Sequence, residues 1–194
     1  MTITLKPTAS ETTIQNNGSD IFTVDSTGIA MASGKTIQNA SGDVLLPVSN
    51  TPAFSAKIAS SQSLSETTAT KLAFDTKDFD TDSAFDTSTN RFTVPAGKAG
   101  LYSISGLARI DSQLSNNLLI GIFYIYKNGA NHKRSYQYYA NNYIRSSGIC
   151  ITSLMDLAVG DYIEMYGYIN SVDNTGGQVN QGIDSTFCGH RLIT

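Results

Sequence analysis

The sequence predicts an all-β protein, and three observations carry that expectation. From Ala53 onward no helical period is sustained, and β-branched and aromatic runs alternate with Gly, Pro, Asn and Asp clusters, the pattern of short strands joined by turns. Of the 194 residues 40% are hydrophobic and only 15% charged, enough apolar material for a core and too little charge for a solvated, disordered chain. Sixteen glycines supply turn positions, where a missing Cβ permits positive φ. Thirteen Lys plus Arg against sixteen Asp plus Glu leave a net charge of −3. That balance offers no electrostatic footprint for a phosphate backbone, so no nucleic-acid partner is expected.

At the N-terminal end, Thr13-Ile14-Gln15-Asn16 recurs as Thr36-Ile37-Gln38-Asn39, and the spacing is kept by Asp20-Ile21-Phe22 and Asp43-Val44-Leu45. Each copy reads as a β segment, a Gly-containing turn and a second β segment. Repeats of this size gain a core by stacking, and about three are needed for independent stability, so two copies imply help from other chains. Coincidence within a Ser/Thr-rich stretch is the alternative. Pro47 and Pro52 bracket Val48-Ser49-Asn50-Thr51 as a linker, because Pro breaks ladders and fixes extended geometry. The expected division is a β-repeat segment over residues 1–51 and a larger domain over 52–194. Met1 to Pro7 has neither the basic region nor the apolar stretch of a secretory signal, so if the protein leaves a cell, another route is expected. No apolar run approaches the roughly 18 residues of a membrane span, so no membrane insertion is expected.

Further along, Arg91-Phe92-Thr93-Val94-Pro95 begins a strand pair that resumes, after Gly97 and Gly100, as Leu101 to Ala108. Ile120 to Tyr126 is a strongly apolar strand, and Asn128-Gly129 behind it supplies the two positive φ angles of a tight hairpin. Tyr162 to Ile169 alternates, with Tyr162, Glu164, Tyr166 and Tyr168 on one face and Ile163, Met165 and Ile169 on the other. One face is core and the other meets solvent or a partner. A helical turn is expected, if anywhere, within Ser60 to Thr70. Cys150 and Cys188 are too few for a disulfide framework; buried free thiols are the favoured reading and a disulfide the alternative.

Several motifs follow in order: Ala53-Phe54-Ser55-Ala56, Leu72-Ala73-Phe74-Asp75, Phe85 through Pro95, Gly100-Leu101-Tyr102-Ser103-Ile104-Ser105, Tyr126-Lys127-Asn128-Gly129, Leu157 through Ile163, and Ser185 through Ile193. Their order resembles a globular C1q domain. The resemblance implies a two-sheet jelly roll of C1q/TNF topology, assembled as a homotrimer about a threefold axis. Members of that family usually carry a collagen stalk, and this chain has no Gly-X-Y period, so a stalk role falls to residues 1–50. Short Thr/Ser/Asn/Gly-rich β repeats ahead of a trimeric head resemble bacteriophage fibre shafts, and Phe22-Thr23-Val24-Asp25-Ser26-Thr27-Gly28 is similar to pieces of them.

Little in the sequence points to catalysis. Asp78, Asp80 and Asp82 stand at alternate positions, as hard oxygens for Ca²⁺ would, but Ser83 replaces the turn Gly and Thr89 the bidentate Glu of an EF-hand. A looser calcium site and a solvated acidic loop are the two readings, and the loop is favoured, with no cofactor expected. His132, in an expected loop, and His190 have no second His to share a metal. Cys188 and His190 share a strand face but lack an orienting third group, so no enzyme is expected. Tyr136, Tyr138, Tyr139, Asn141, Asn142 and Tyr143 form a Tyr/Asn-rich stretch of the kind common in recognition surfaces, where sugar rings stack. The alternative is that several of these tyrosines pack across the trimer axis. Neighbours on a strand point to opposite faces, so Tyr138 or Tyr139, not both, faces outward.

These readings combine into one expectation: a bacteriophage virion protein, a tail fibre, head fibre or spike. Its homotrimeric head binds a host-surface glycan or protein, and residues 1–50 dock to other virion proteins. It is made in the host cytoplasm and released by lysis. A capsid decoration trimer without a receptor and a bacterial C1q-like adhesin or lectin are the alternatives.

Overall fold

The computed structural model describes residues 11–16, 19–25 and 28–31 as strands, and residues 50–140 and 143–192 with their side chains. Among these residues there is no helix, hence none long and apolar enough to cross a membrane. The chain divides into two compact units, Met1–Val48 and Ser49–Thr194.

In the first unit, β1 (Glu11–Asn16), β2 (Ser19–Asp25) and β3 (Gly28–Met31) form an antiparallel meander, with a bulge between Ile14 and Gln15. The first copy of the repeat falls on β1 and β2. Its second copy, at residues 36–45, and Pro47 lie outside the described residues.

The second unit opens with β4 (Ala53–Ile58), β5 (Gln62–Leu64), β6 (Thr70–Lys71), β7 (Thr76–Asp80), β8 (Phe85–Asp86) and β9 (Arg91–Thr93). It continues with β10 (Gly100–Asp111), β11 (Leu118–Lys127), β12 (Ala130–Tyr138), β13 (Ser146–Leu157), β14 (Tyr162–Ser171), β15 (Gly177–Val179) and β16 (Gly182–Arg191). These strands make two antiparallel sheets. In the first, β10 takes β13 along one edge and β16 on the other, with β15 beyond its far end; β4 and β7 follow β16, and β5 follows β15. In the second the order is β12-β11-β14-β9-β8, with β6 beside β14.

Period-two alternation builds the core between the sheets. Tyr102, Ile104, Ala108 and Ile110 of β10 are buried, as are Ile163, Met165 and Ile169 of β14. Phe54 of β4 stacks on Phe85 and Phe92 at 5.0 and 4.8 Å, joining the first sheet to the second. Phe187 of β16 meets Phe54, Phe74 and Phe85 edge-on at 4.9, 5.6 and 5.5 Å, a preferred arrangement for aromatic quadrupoles. Gly106 lets β10 pass under the Phe123 ring, whose edge would lie 2.9 Å from any Cβ there.

Asn128 and Gly129 both take positive φ, 53° and 78°, and turn β11 into β12 as the Asn-Gly signal requires. Two expectations fail. Residues 91–95 do not pair with 101–108: β9 joins β8 and β14 in the second sheet, while β10 lies in the first. Pro95 has no N–H to continue a ladder, and the chain uses it to cross between sheets. Within Ser60 to Thr70 there is no helical turn but β5 and a turn at Thr67, whose φ is 50°.

Candidate functional site

A sandwich has two outward faces, and here they differ in chemistry. On the first sheet, cross-strand register sets three outward rows: Lys57, Thr186, Leu107 and Cys150; Ser55, Cys188, Ser105 and Thr152; Ala53, His190, Ser103 and Leu154. Side chains are small or uncharged over most of this face. Leu154 is 68% and Leu101 43% exposed. Its charges are largely paired, Lys57 with Asp78 at 2.6 Å and Arg109 with Asp184 at 3.1 Å. A groove of about 550 Å³ runs past Asn50, Ser55, Phe79, Ser105, Cys188 and His190, with the Cys188 thiol 3.1 Å from the Ser105 hydroxyl.

Both cysteines are free, Cys150 exposed and Cys188 half-buried, which corrects the expectation of buried thiols. They lie on the outward side of their strands, in different rows and on opposite sides of β10. Cys188 and His190 do share a face, and His190 is exposed. His132 lies in β12 and not in a loop.

The outward face of the second sheet is aromatic. Register places Tyr136, Ile122 and Tyr168 in one row, Arg134, Tyr124, Tyr166 and Lys71 in the next, and Tyr126 opposite Glu164 in a third. Tyr126 and Tyr166 stack at 4.0 Å, with Tyr124 edge-on to Tyr126 at 6.0 Å. Burial pushes the Tyr124 and Tyr166 phenols above their ordinary range, with Arg134 drawing Tyr124 only part of the way back, so both remain neutral hydroxyls at physiological pH. Beneath the rings, the Glu164 side chain is 4% exposed. Its Oε1 accepts from Lys71 Nζ at 2.6 Å and from Arg91 Nη2 and Nε at 2.9 and 3.1 Å. Burial pushes this carboxyl up, but hydrogen bonds from Lys71 and Arg91 outweigh it and hold it below the ordinary value. The Arg91 guanidinium lies 3.7 Å from the Tyr162 ring centroid, a cation–π contact.

The Tyr/Asn-rich stretch is split by this arrangement. Tyr136 and Tyr138 stand outward on β12, 48% and 58% exposed, their ring centroids 6.5 Å apart. Tyr139 turns inward against the core and donates to Ser147 Oγ at 2.7 Å. Tyr143 is half-buried, and Asn141 and Asn142 lie outside the described residues. Tyr124 and Tyr126 belong with Tyr136 on the outward face, although an apolar run such as Ile120 to Tyr126 does not announce it; their spacing of two is the signal that would have.

Asp78, Asp80 and Asp82 are drawn apart by separate partners. Asp78 takes Lys57 and Ser55, whose hydrogen bonds hold its carboxyl below the ordinary value. Asp80 pairs with Lys77 at 3.0 Å and accepts the Ala84 and Phe85 N–H groups. Asp82 faces Lys98 at 3.6 Å and Thr81. Among the described residues no three acidic, His or Cys side chains gather as a metal site.

No protein-family model and no curated protein matches the chain. Solved structures do. The globular domain of zebrafish complement 1qA superposes with a TM-score of 0.53 at 14% identity, over 73% of this chain and 98% of that one. Murine APRIL gives 0.52 at 8% identity, over 73% and 98%. The Eiger TNF of S. frugiperda gives 0.50 at 12%, over 73% and 94%. At such identities the likeness is one of fold, and the all-β sandwich of this chain is a C1q/TNF-like jelly roll.

Proposed function

We propose that this chain is a bacteriophage virion protein of the fibre or spike type. Its C1q/TNF-like head assembles as a homotrimer and binds the host surface, while residues 1–51 dock to the particle. The observation that carries the reading is the contrast between the two outward faces of the head. Ser55, Ser103, Ser105, Thr152, Thr186, Cys150 and Cys188 make much of one face low, with Leu101, Leu107 and Leu154 among them, and its Lys57 and Arg109 are paired with carboxylates. Small side chains let a second copy approach closely, and three identical heads close a ring in which no such face stays wet. The tyrosine face is then left for recognition, which makes the head a binding and assembly module without turnover. The β1–β3 meander ahead of it supports the shaft-like role of the N-terminal unit.

Two measurements test the reading. Light scattering on the full chain should give about 62 kDa, three copies of a 20.8 kDa chain in closed cyclic symmetry; a monomer refutes the trimer. Mass spectrometry of purified particles should find the chain. Its absence refutes the virion role whatever its mass in solution.

A further inference from the structure

Not every tyrosine on the outward face of the second sheet is covered by its neighbours. Tyr126 and Tyr166 satisfy each other by stacking, and Tyr162 is covered by Arg91. Tyr136 and Tyr138 touch each other obliquely and are otherwise about half open to solvent. Arg134 stands beside them on the same side of β12 and is exposed. Among the described residues no carboxylate lies within ion-pair distance of it.

The charge on this face runs against the charge of the chain. Lys71, Arg91 and Arg134 are set against Glu164, which is buried beneath the first two, and Asp86 at the far edge opposite Arg91. Of these three cations Arg134 is the one for which, among the described residues, no carboxylate lies within ion-pair distance; it stands next to the open rings, in a protein whose net charge is −3. A complementary ligand has flat, weakly polar C–H faces for the rings, hydroxyls for the phenols, and a carboxylate for the guanidinium.

We propose that the outward face of the second sheet binds a carboxylated polysaccharide, with sugar rings stacked on Tyr136 and Tyr138 and a sugar carboxylate paired with Arg134. The proposal rests on reading the head as a host-surface binder and names the class of ligand. Tyr136 and Tyr138, two residues apart along one strand, offer successive platforms, so a chain-like ligand follows the edge strand. Arg134 fixes its register through a forked, charge-assisted contact.

The test uses the full chain and a panel of carboxylated polysaccharides, namely polygalacturonate, alginate and hyaluronate, followed by isothermal titration. Dextran is the uncharged sugar control, polyglutamate the polyanion without sugar rings, and oligothymidylate the stacking polyanion. At least one carboxylated polysaccharide should bind about tenfold or more tightly than every control. The pair Tyr136→Ala with Tyr138→Ala, and separately Arg134→Gln, should each weaken it about tenfold. The pair Tyr136→Phe with Tyr138→Phe should retain most of the affinity, because the ring and not the hydroxyl carries the stacking. Circular dichroism checks that the variants keep the fold. No binding to any member of the panel, equal binding to polyglutamate or oligothymidylate, or affinity unmoved by removing both rings overturns the proposal. A chain present on particles, trimeric and indifferent to the panel refutes the sugar surface alone. One that binds the panel but is missing from particles refutes the virion role alone.

Discussion

Replacing Glu164 by Gln keeps the shape of the side chain and removes one negative charge from beneath the tyrosine face. All three contacts from Lys71 and Arg91 converge on one oxygen, Oε1, and the Gln carbonyl still accepts there. What is lost is the anion between two cations. Severing a fully buried pair costs about 3–5 kcal/mol, because a charge is left stranded in low dielectric. Here Glu164 is 4% exposed, but Lys71 and Arg91 are 31% and 33% exposed, so water screens them once the anion is gone. A hydrogen bond to a charged group contributes about 1.5–3 kcal/mol against about 1 for a neutral one. The expected loss for Glu164→Gln at pH 7 is therefore about 2 kcal/mol, or roughly 4–8 °C in Tm for a domain of this size. The pH dependence follows from the direction of the carboxyl's shift. Its folded value is depressed, so its stabilisation is complete above the unfolded value of about 4.3 and is lost as pH falls through the folded one. Urea unfolding of both proteins at pH 7, 5 and 3, at one protomer concentration because association shifts apparent stability, should show a gap that closes at the acid end. A variant as stable as the parent at pH 7, or a gap unchanged at pH 3, refutes this account of the triad.

Phe187→Ala removes a fully buried ring that meets three others; a loss of about 3–5 kcal/mol in urea unfolding is expected, and less than half of that would mean the aromatic cluster is not what joins the sheets. Gly177→Ala should abolish soluble expression or lower Tm steeply, since its Cβ would sit 2.3 Å from the Asp111 backbone oxygen. Gly160→Ala, at φ 83° with nothing within 4 Å, should cost only the left-handed strain of about 1–2 kcal/mol, and equal penalties at the two sites would refute the steric argument. In a Cys188→Ser background, Cys150 should react slowly with maleimide while the chain is trimeric and at the rate of a free thiol once dissociated. Fast labelling of a species of trimer mass would show that the β13 side of the first sheet is not the interface.

Features set by neighbours in sequence were legible before the structure. The Asn128-Gly129 turn follows from two left-handed residues, and the faces of β14 follow from strict alternation, with Tyr162, Glu164, Tyr166 and Tyr168 opposite Ile163, Met165 and Ile169. Features set by pairing were not. β9 is only three residues long, too short for its pattern to say which sheet it joins, and Pro95 separates it from the strand it seemed to begin. Cys150 and Cys188 read as core because free thiols usually are, yet each sits on the outward side of an alternating strand, where apolar and small residues serve a face and not an interior. The Asp78-Phe79-Asp80-Thr81-Asp82 spacing allows a donor set or a solvated loop, but Lys57 and Lys98 arrive from other segments, Lys77 lies on the same strand, and each takes a different carboxylate. The tyrosine face is the extreme case. Three strands contribute its rings, and only the register of β12, β11 and β14 brings Tyr136 beside Ile122 and Tyr168, and Arg134 beside Tyr124 and Tyr166.

The contrast between the two faces also limits how copies can meet. Copies packed through the second sheet would need close contact between surfaces studded with tyrosines, and although Lys71 and Arg91 already share Glu164, the Arg134 guanidinium of each copy would be desolvated without a carboxylate. The first sheet presents less of an obstacle: its Lys57 and Arg109 have carboxylate partners within the same chain, its middle row is Ser55, Cys188, Ser105 and Thr152, and the rows on either side add Leu107, Leu154 and His190 to further small residues. In the proposed trimer the first sheets turn inward and the tyrosine faces turn out, one per copy. A polymeric ligand then meets three equivalent surfaces, so modest affinity at each, of the kind two stacked rings and one ion pair supply, becomes firm attachment through effective concentration whenever the polymer can span two of them. On this arrangement the small residues of one sheet and the aromatic residues of the other serve a single end, since close packing at the axis is what multiplies a weak contact at the rim.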